Sequence, residues 1–383
     1  MDELPFAFTV SAPAKLNLGL EVLGRRADGY HDLATIFLTV SLCDELSVAA
    51  TPGPRIGLEC SGSDVPPQEN LVWRAAEAMQ QVAPGHGVLL KLEKRIPIAA
   101  GLGGASSDAA ATLLALRDHW QVAVTDDTLA EMALELGSDV PFLLRGGCAL
   151  GRGRGEVLQR LPLPGELASA SPEEPSPPAP LLMRGRRETD PHPNPSPDAQ
   201  GEGLAVAEGA ADPGQGNQAE STTPPSSPLS LRTGRGAGGE GSPGLYFLIV
   251  APRVQMPRKT ASLFAALEPG DFSDGARVQQ QAERLRAGEP LDPGLLGNAF
   301  SRALYALRPD VAAVAGAMRA AGATHVALSG AGPAHYAVFA DAAMAQVVRQ
   351  RLEEQLRDTA DVFLTTPVPA RAAGGPGAVA GQP

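Results

Sequence analysis

Apolar and polar residues follow two different periods along the chain, which predicts both strands and helices. Residues 6–24 alternate between apolar and polar positions and residues 34–50 hold a β-branched run, two patterns typical of strands. Residues 69–83 instead repeat their apolar positions at helical spacing. Because helices and strands do not alternate strictly, as they would in a doubly wound fold, the pattern predicts an α+β fold.

The same periods predict the remaining elements of two blocks, 1–164 and 245–367. In the first block, a strand at 87–97 is stopped by Pro97, and a helix follows at 106–120. A further helix at 127–137 can be capped by Thr125 or Asp126 and should end at Gly137 in the usual left-handed manner. The second block should contain these elements: a strand at 245–252, helices at 298–308, 311–322 and 342–358, a strand–turn–strand at 324–340 and a strand at 361–366.

Composition separates the two blocks from segments that should not fold. Residues 165–244 are rich in Gly, Pro and Ser, lack aromatic residues and hold few aliphatic ones. Such a segment buries too little apolar surface to offset its ordering entropy, so we expect a disordered insertion. Residues 368–383 have a similar composition and are expected to form a disordered tail.

Charge and cysteine content narrow the class of protein. The net charge of −12 argues against general binding to nucleic acid or to an anionic membrane. The three scattered cysteines form neither a disulfide framework nor a zinc motif, and the first residues carry acidic rather than basic charge. We therefore expect a soluble cytoplasmic protein, either a monomer or a homodimer.

The most specific chemical signal is a Gly-rich loop that leads from a strand into a helix. Small residues there let backbone N–H groups approach a polyphosphate, and the helix N-terminus adds its partial positive charge. The loop matches neither GxxxxGK[ST] nor GxGxxG. A plain turn followed by a serine helix cap is the alternative. The residues expected to bind phosphate are Pro97, Ile98, Ala99, Ala100, Gly101, Leu102, Gly103, Gly104, Ala105, Ser106 and Ser107.

Three motifs in order resemble those of the galactokinase, homoserine kinase, mevalonate kinase and phosphomevalonate kinase (GHMP) superfamily. The loop resembles the central motif, Ala12–Leu20 resembles the first, and Leu328–Pro333, with Gly330 and Gly332, resembles the third. The resemblance implies two domains within the α+β class. These are an N-terminal domain similar to domain 2 of ribosomal protein S5 and a ferredoxin-like C-terminal domain.

Further segments resemble one branch of this superfamily, the 4-diphosphocytidyl-2-C-methyl-D-erythritol kinases. Arg25–Leu33 is similar to an RxDGYHxL signature, Leu136–Gly147 to LGxDVPxxxxGG, and Gly151–Glu156 to a GxGExL turn. The resemblance covers both blocks but neither the insertion nor the tail. It implies transfer of the ATP γ-phosphoryl group to the 2-hydroxyl of 4-diphosphocytidyl-methylerythritol, the kinase step of the non-mevalonate isoprenoid route.

The resemblance also implies roles for individual residues. Asp139, which should follow a helix and precede a Val-Pro strand, would accept the hydroxyl proton, while Lys15 would stabilise developing negative charge. Without the resemblance, a turn aspartate and a surface lysine are the simpler interpretations. Mg²⁺ should accompany ATP, with Ser107 and Asp108 as the nearest candidate ligands.

The acceptor is expected to contact both blocks. Its proposed contacts are Asn17 with the polyol, Tyr30 and His31 with the cytosine, Thr260 with the substrate and Phe264 with the other face of the base. The segment before Thr260 is longer than the family pattern, so a Phe264 that packs on a helix is an alternative. His335 is either a nucleotide contact or a structural strand residue. A homoserine or mevalonate kinase and a non-catalytic nucleotide-binding module are the alternative functions.

Overall fold

The computed structural model describes residues 6–165 and 244–371, which belong to one compact unit. The predicted insertion at 165–244 lies outside the described residues except at its two ends, and 372–383 of the predicted tail lie outside them as well. Within the described part of the chain, no helix is both long and apolar enough to span a bilayer.

The first half of the chain forms a six-stranded mixed sheet covered by helices. Its strands follow the order β3–β4–β2–β5–β6, with β1 paired to β2 off this path. All pairs are antiparallel except β3 with β4. The elements are β1 (Phe8–Arg25), β2 (His31–Thr51), β3 (Ile56–Ser61), α1 (Leu71–Val82), β4 (Gly87–Glu93), α2 (Gly104–His119), α3 (Asp126–Leu136), α4 (Val140–Arg145), β5 (Cys148–Gly153) and β6 (Val157–Leu161).

Side-chain caps begin two of these helices, and a glycine ends one of them. Asn70 caps α1 by accepting from the N–H of Val72, and Thr125 rather than Asp126 caps α3 through the N–H of Thr128. Gly137 ends α3, but its φ of 162° is extended backbone, so the left-handed ending predicted from the sequence was wrong. The chain is extended at Gly137 and begins α4 at Val140.

The second half contains a four-stranded antiparallel sheet with the strand order β10–β7–β9–β8. Its β7–α8–β8–β9–α9–β10 path is the ferredoxin-like arrangement, so the predicted α+β class is confirmed. The elements are β7 (Tyr246–Pro252), α5 (Lys259–Ala265), α6 (Ala276–Arg286), α7 (Ser301–Leu307), α8 (Pro309–Ala321), β8 (Val326–Leu328), β9 (His335–Phe339), α9 (Ala342–Gln355) and β10 (Ala360–Thr365).

Helix α6 was not predicted from the sequence. It is strongly polar, and only Val278, Gln281, Ala282 and Leu285 are buried. Its N-terminus is tied to β1, because the backbone N–H of Val278 donates to the Glu21 carboxylate at 2.8 Å. The buried positions recur at helical spacing, but they are few in a polar segment, and the contact with Glu21 adds a tertiary constraint on where the helix lies.

The two halves share a continuous core beside the site. Leu16 and Leu18 of β1 belong to the same buried cluster as Phe247 and Tyr336 of the second sheet. The Tyr336 hydroxyl donates to the Asn17 carbonyl oxygen at 2.9 Å. Burial of this apolar surface holds β1, which carries the first motif, against the second half of the chain.

The last described residues pair with the first half. The N–H of Val368 donates to the Thr39 carbonyl at 2.9 Å, and that of Arg371 donates to the Arg145 carbonyl at 2.8 Å. These contacts lie within 368–371, the start of the segment expected to be a disordered tail.

Candidate active site

Two cavities lie on either side of the Gly-rich loop. The larger, about 810 Å³, holds the residues expected to bind the acceptor, and the smaller, about 450 Å³, is lined by the loop itself. Gly101, Gly103, Asp139 and Thr260 line both cavities. A group bound in one cavity can therefore meet a group bound in the other at these residues.

Lys15 and Asp139 meet at this junction. Lys15 is only 4% exposed on β1, and its Nζ lies 3.3 Å from the Asp139 carboxylate. The same Nζ donates to Asn17 Oδ1 at 2.7 Å, and Asn17 Nδ2 donates to Thr35 Oγ1 at 2.8 Å. This chain of contacts fixes the ammonium group on a buried strand and leaves the carboxylate partly open to the cavities.

Asp139 lies at the start of a helix, not before a strand. Val140–Arg145 is the short helix α4, so the predicted Val-Pro strand was wrong. Pro141 in the first turn explains the difference, because a helix tolerates proline there and the ring presets φ. The Asp139 side chain forms no capping hydrogen bond and reaches Lys15 instead.

The Gly-rich loop is built from left-handed residues followed by a long helix. Gly101 and Gly103 have φ of 85° and 72°, and Ala99 has φ of 55°. Helix α2 begins at Gly104, and its cap position is Gly103, which offers no side chain. Ser106 and Ser107 lie inside the helix, so the alternative of a plain serine cap does not apply. The backbone N–H groups of the first turn have no intrahelical acceptors and are available to an anion.

The third motif contacts the loop directly. Gly330 and Gly332 also have positive φ, 53° and 65°. Ser329 Oγ donates to the Gly101 carbonyl at 3.1 Å. The N–H of Ala334 donates to the Ala100 carbonyl at 3.0 Å. The two motifs, far apart in sequence, thus form one backbone surface.

The two candidate metal ligands have other partners in this structure. Ser107 Oγ donates to the Pro13 carbonyl at 2.7 Å, which ties α2 to β1. Asp108 Oδ2 accepts from Lys94 Nζ at 2.6 Å, and Lys94 also pairs with Asp44. Burial raises the pKa of Asp108 to about 7, although Lys94 opposes the shift. Within 6–165 and 244–371, no three His, Cys, Asp or Glu residues form a metal-binding group.

Aromatic residues line the far end of the larger cavity. The rings of His31 and Phe264 stack with centroids 4.4 Å apart, while Tyr30 is 55% exposed and lies under the Arg154 guanidinium at 4.9 Å. The predicted base-binding residues therefore gather at one cavity. His31 and Phe264 contact each other directly, however, and leave no gap between their rings. Burial lowers the pKa of His31.

Thr260 and Phe264 both lie on α5, and Thr260 lines both cavities. His335, by contrast, is fully buried, and its Nε2 lies 2.8 Å from the Tyr305 hydroxyl. Burial lowers the pKa of His335 to about 4. Of its two suggested roles, the structural one fits this environment.

Two basic residues that line the larger cavity were not predicted as site residues from the sequence. Arg154 lies within the GxGExL-like turn, and Lys259 lies within the segment that departs from the family pattern. Both residues lie in or beside segments that resemble acceptor-binding segments of the family. A positive charge there was the signal that could have identified them.

Comparisons with known proteins identify the family of the chain. Residues 70–147 match the family described as GHMP kinases N terminal domain, and 282–358 match GHMP kinases C terminal. The chain is 30% identical to a solved 4-(cytidine 5'-diphospho)-2C-methyl-D-erythritol kinase, with a TM-score of 0.60 over 96% of this chain and 100% of the other. A homoserine kinase from Cytophaga hutchinsonii is 17% identical with a TM-score of 0.57 over 96% of each chain, a likeness of fold alone.

Curated relatives match over a shorter segment. The 4-diphosphocytidyl-2-C-methyl-D-erythritol kinase of Pelotomaculum thermopropionicum is 48% identical over 155 residues, 40% of this chain and 54% of the relative. That of Heliobacterium modesticaldum is 49% identical over 154 residues, 39% of this chain and 49% of the relative. The chain thus spans about half the length of the curated relatives it matches. With both family domains matched and a solved relative covered throughout, the chain belongs to the GHMP kinase family.

Proposed function

We propose that this protein transfers the γ-phosphoryl group of ATP to the 2-hydroxyl of 4-diphosphocytidyl-2-C-methyl-D-erythritol. The observation that supports it most is the Lys15–Asp139 pair at the junction of two cavities. One cavity has the backbone of a phosphate site and the other has an aromatic end suited to a nucleobase. The relatives named for this activity support the same choice of acceptor.

In this mechanism the oxygen of the acceptor hydroxyl forms a bond to the γ-phosphorus of ATP, and Asp139 accepts the proton that this hydroxyl loses. The bond between that phosphorus and the β,γ-bridging oxygen breaks, and ADP leaves. Lys15 lies beside the reacting oxygens and stabilises their charge, and its own position is held by Asn17. Positioning and charge stabilisation supply most of the catalysis in phosphoryl transfer.

We propose that ATP binds at the Gly-rich loop, whose shape depends on its glycines. A Cβ on Gly101 would lie 2.3 Å from the Ser329 carbonyl oxygen, and one on Gly103 would lie 2.8 Å from Lys15 Cγ. We propose Asp108 as the protein ligand for Mg²⁺, since its buried Oδ1 has no hydrogen-bond partner among the described residues. When bound, the ion would neutralise phosphate charge. We place the reaction in the cytoplasm.

The aromatic end of the larger cavity favours an acceptor that carries a base over homoserine or mevalonate. Tyr30, with its exposed ring, is the residue we propose to stack on cytosine, and His31 would contact the polar edge of the base. The stacked His31 and Phe264 rings would then have to separate, or Phe264 would form only a wall. An acceptor without a base would leave this surface unused.

The test is ADP release with each of the three acceptors in the presence of ATP and Mg²⁺. We expect turnover with the cytidyl acceptor and little with homoserine or mevalonate. Asp139→Asn should reduce kcat about 10²- to 10⁴-fold and leave ATP binding nearly unchanged. Asp127→Asn, an exposed aspartate on α3, is the matched control. Near-normal turnover by Asp139→Asn would refute its role as the base.

A further inference from the structure

Lys259 occupies a position at which the loop, the third motif and the larger cavity meet. It begins helix α5, and its Nζ donates to the Ala99 carbonyl at 2.5 Å and to the Gly332 carbonyl. It also lines the larger cavity together with Lys15. The ammonium group thus bridges the Gly-rich loop and the third motif. We call the backbone surface that these two segments form the phosphate surface.

Among the described residues, the charge on Lys259 has no carboxylate partner, unlike that of the other three lysines. The chain has four lysines, and three of them form ion pairs: Lys15 with Asp139, Lys91 with Glu93, and Lys94 with Asp44 and Asp108. Among the described residues, Lys259 has no carboxylate within ion-pair distance, and its acceptors are neutral carbonyls. A half-buried ammonium without a counterion is less favourable than a paired one, so the site favours an arriving anion.

We propose that Lys259 binds a phosphate oxygen of the substrates opposite Lys15, as a second cation of the phosphoryl-transfer site. This inference rests on the function proposed above and adds a residue to its site. The terminal phosphate of ATP and the diphosphate of the acceptor have the same chemistry. Both carbonyls that hold Lys259 belong to the loop and the third motif, which favours ATP as the source, whereas the ammonium lines the larger cavity and not the loop cavity, which favours the acceptor; we take ATP as the source to be tested first.

The environment of Lys259 supports a pH-dependent contact. Burial and, to a lesser extent, the nearby Lys15 lower the pKa of Lys259 to about 8. Below that pH the ammonium is charged and can bind phosphate, and above it the group becomes neutral. The other charged or titratable residues that line the larger cavity are Tyr30, His31, Asp139 and Arg154.

The first experiment compares Lys259→Met, which keeps the apolar stem, with Lys259→Arg, which keeps the charge. Lys91→Met removes an exposed, paired lysine on β4 and is the matched control. Calorimetry with the β,γ-imido analogue of ATP and with cytidine diphosphate measures binding without turnover. We expect Lys259→Met to weaken the ATP analogue about 10- to 100-fold at pH 7, and Lys259→Arg to restore most of the loss.

The two ligands distinguish the two sources of phosphate. Weaker binding of the ATP analogue alone supports contact with the nucleotide, and weaker binding of cytidine diphosphate alone assigns Lys259 to the acceptor. If both ligands bind Lys259→Met as tightly as they bind wild type, the proposal is wrong, and a lower Tm would then indicate only a structural bridge. These measurements hold even if no acceptor is turned over, so failure of the proposed function is recognised separately.

The pH profile provides a second test, since a structural bridge alone predicts no such signature. For wild type, kcat/KM should fall as the pH rises above about 8, where Lys259 loses its proton. Lys259→Arg should shift this fall to higher pH, and Lys259→Met should lack it. A profile that is the same in all three proteins contradicts phosphate binding by Lys259.

Discussion

Gly101→Ala should separate the phosphate loop from the third motif. A Cβ built on Gly101 lies 2.3 Å from the Ser329 carbonyl oxygen and 3.0 Å from both the N and O of Gly332. These neighbours are backbone atoms that cannot rotate away. The residue also has a φ of 85°, which alanine adopts only with strain. The steric clash and the backbone strain both destabilise the native conformation of the loop.

The cost can be estimated from these two effects. The left-handed backbone costs alanine about 1–2 kcal/mol. Overpacking against the surrounding atoms adds about 1–3 kcal/mol if the loop stays in place. The free energy of unfolding should therefore fall by about 2–5 kcal/mol. If the loop moves instead, the hydrogen bonds from Ser329 and Ala334 to the loop carbonyls are lost, and ATP binding weakens.

Gly85→Ala is the matched control. Its φ of 93° is similar, but a Cβ there has no heavy atom of the described part of the chain within 4 Å, so only the backbone strain remains. Urea unfolding should show a loss of about 1–2 kcal/mol for Gly85→Ala and a larger loss for Gly101→Ala. Calorimetry with the β,γ-imido ATP analogue should show weakening only in Gly101→Ala. Equal stability of the two variants, with wild-type ATP affinity in both, would refute the required contact between loop and third motif.

The remaining predictions concern the loop, the buried ion pairs and the insertion. Gly103→Ala would place a Cβ 2.8 Å from Lys15 Cγ and would strain the backbone at a φ of 72°, so Tm should fall and the Lys15 ammonium should be displaced. We expect kcat to fall about tenfold or more, and an unchanged kcat would contradict this. Lys94→Met leaves the buried carboxylates of Asp44 and Asp108 without their cation, so the free energy of unfolding should fall by about 3–5 kcal/mol. Urea unfolding measures this change and should show a smaller fall for Asp108→Asn. Burial raises the pKa of Asp108 to about 7, so the protonated carboxyl is favoured in the folded state. Its contribution to the free energy of unfolding is full at low pH and is lost as the pH rises through about 7. Urea unfolding at several pH values should show this loss in wild type and not in Asp108→Asn. Deletion of 168–242 should leave turnover and Tm near normal, since loop closure costs only about 0.6 kcal/mol per doubling of length, and loss of acceptor binding alone would contradict it.

Local features of the sequence determined much of the fold. The Gly-rich segment and the apolar residues after it predicted a loop that enters a helix, and α2 begins there. Most of the second-block strands and helices, though not α5 and α6, were also predicted, because their apolar periods reflect burial on one face. The α+β class followed from the order of these elements. Ser106 and Ser107 could not be placed in the cap or in the helix from the sequence, since a left-handed Gly103 satisfies the same turn.

Tertiary structure decided which chemical groups meet. Lys15 and Asp139 lie on different elements, and their 3.3 Å contact depends on α2, which packs against both β1 and α4. The same is true of the two carbonyls that hold Lys259 and of the bonds between the third motif and the loop. Local residue types set backbone dihedrals and periodicity, and these can be read within a short window. Contacts between distant segments arise only when the shared apolar core closes, so their distances, partners and shifted pKa values belong to the folded chain.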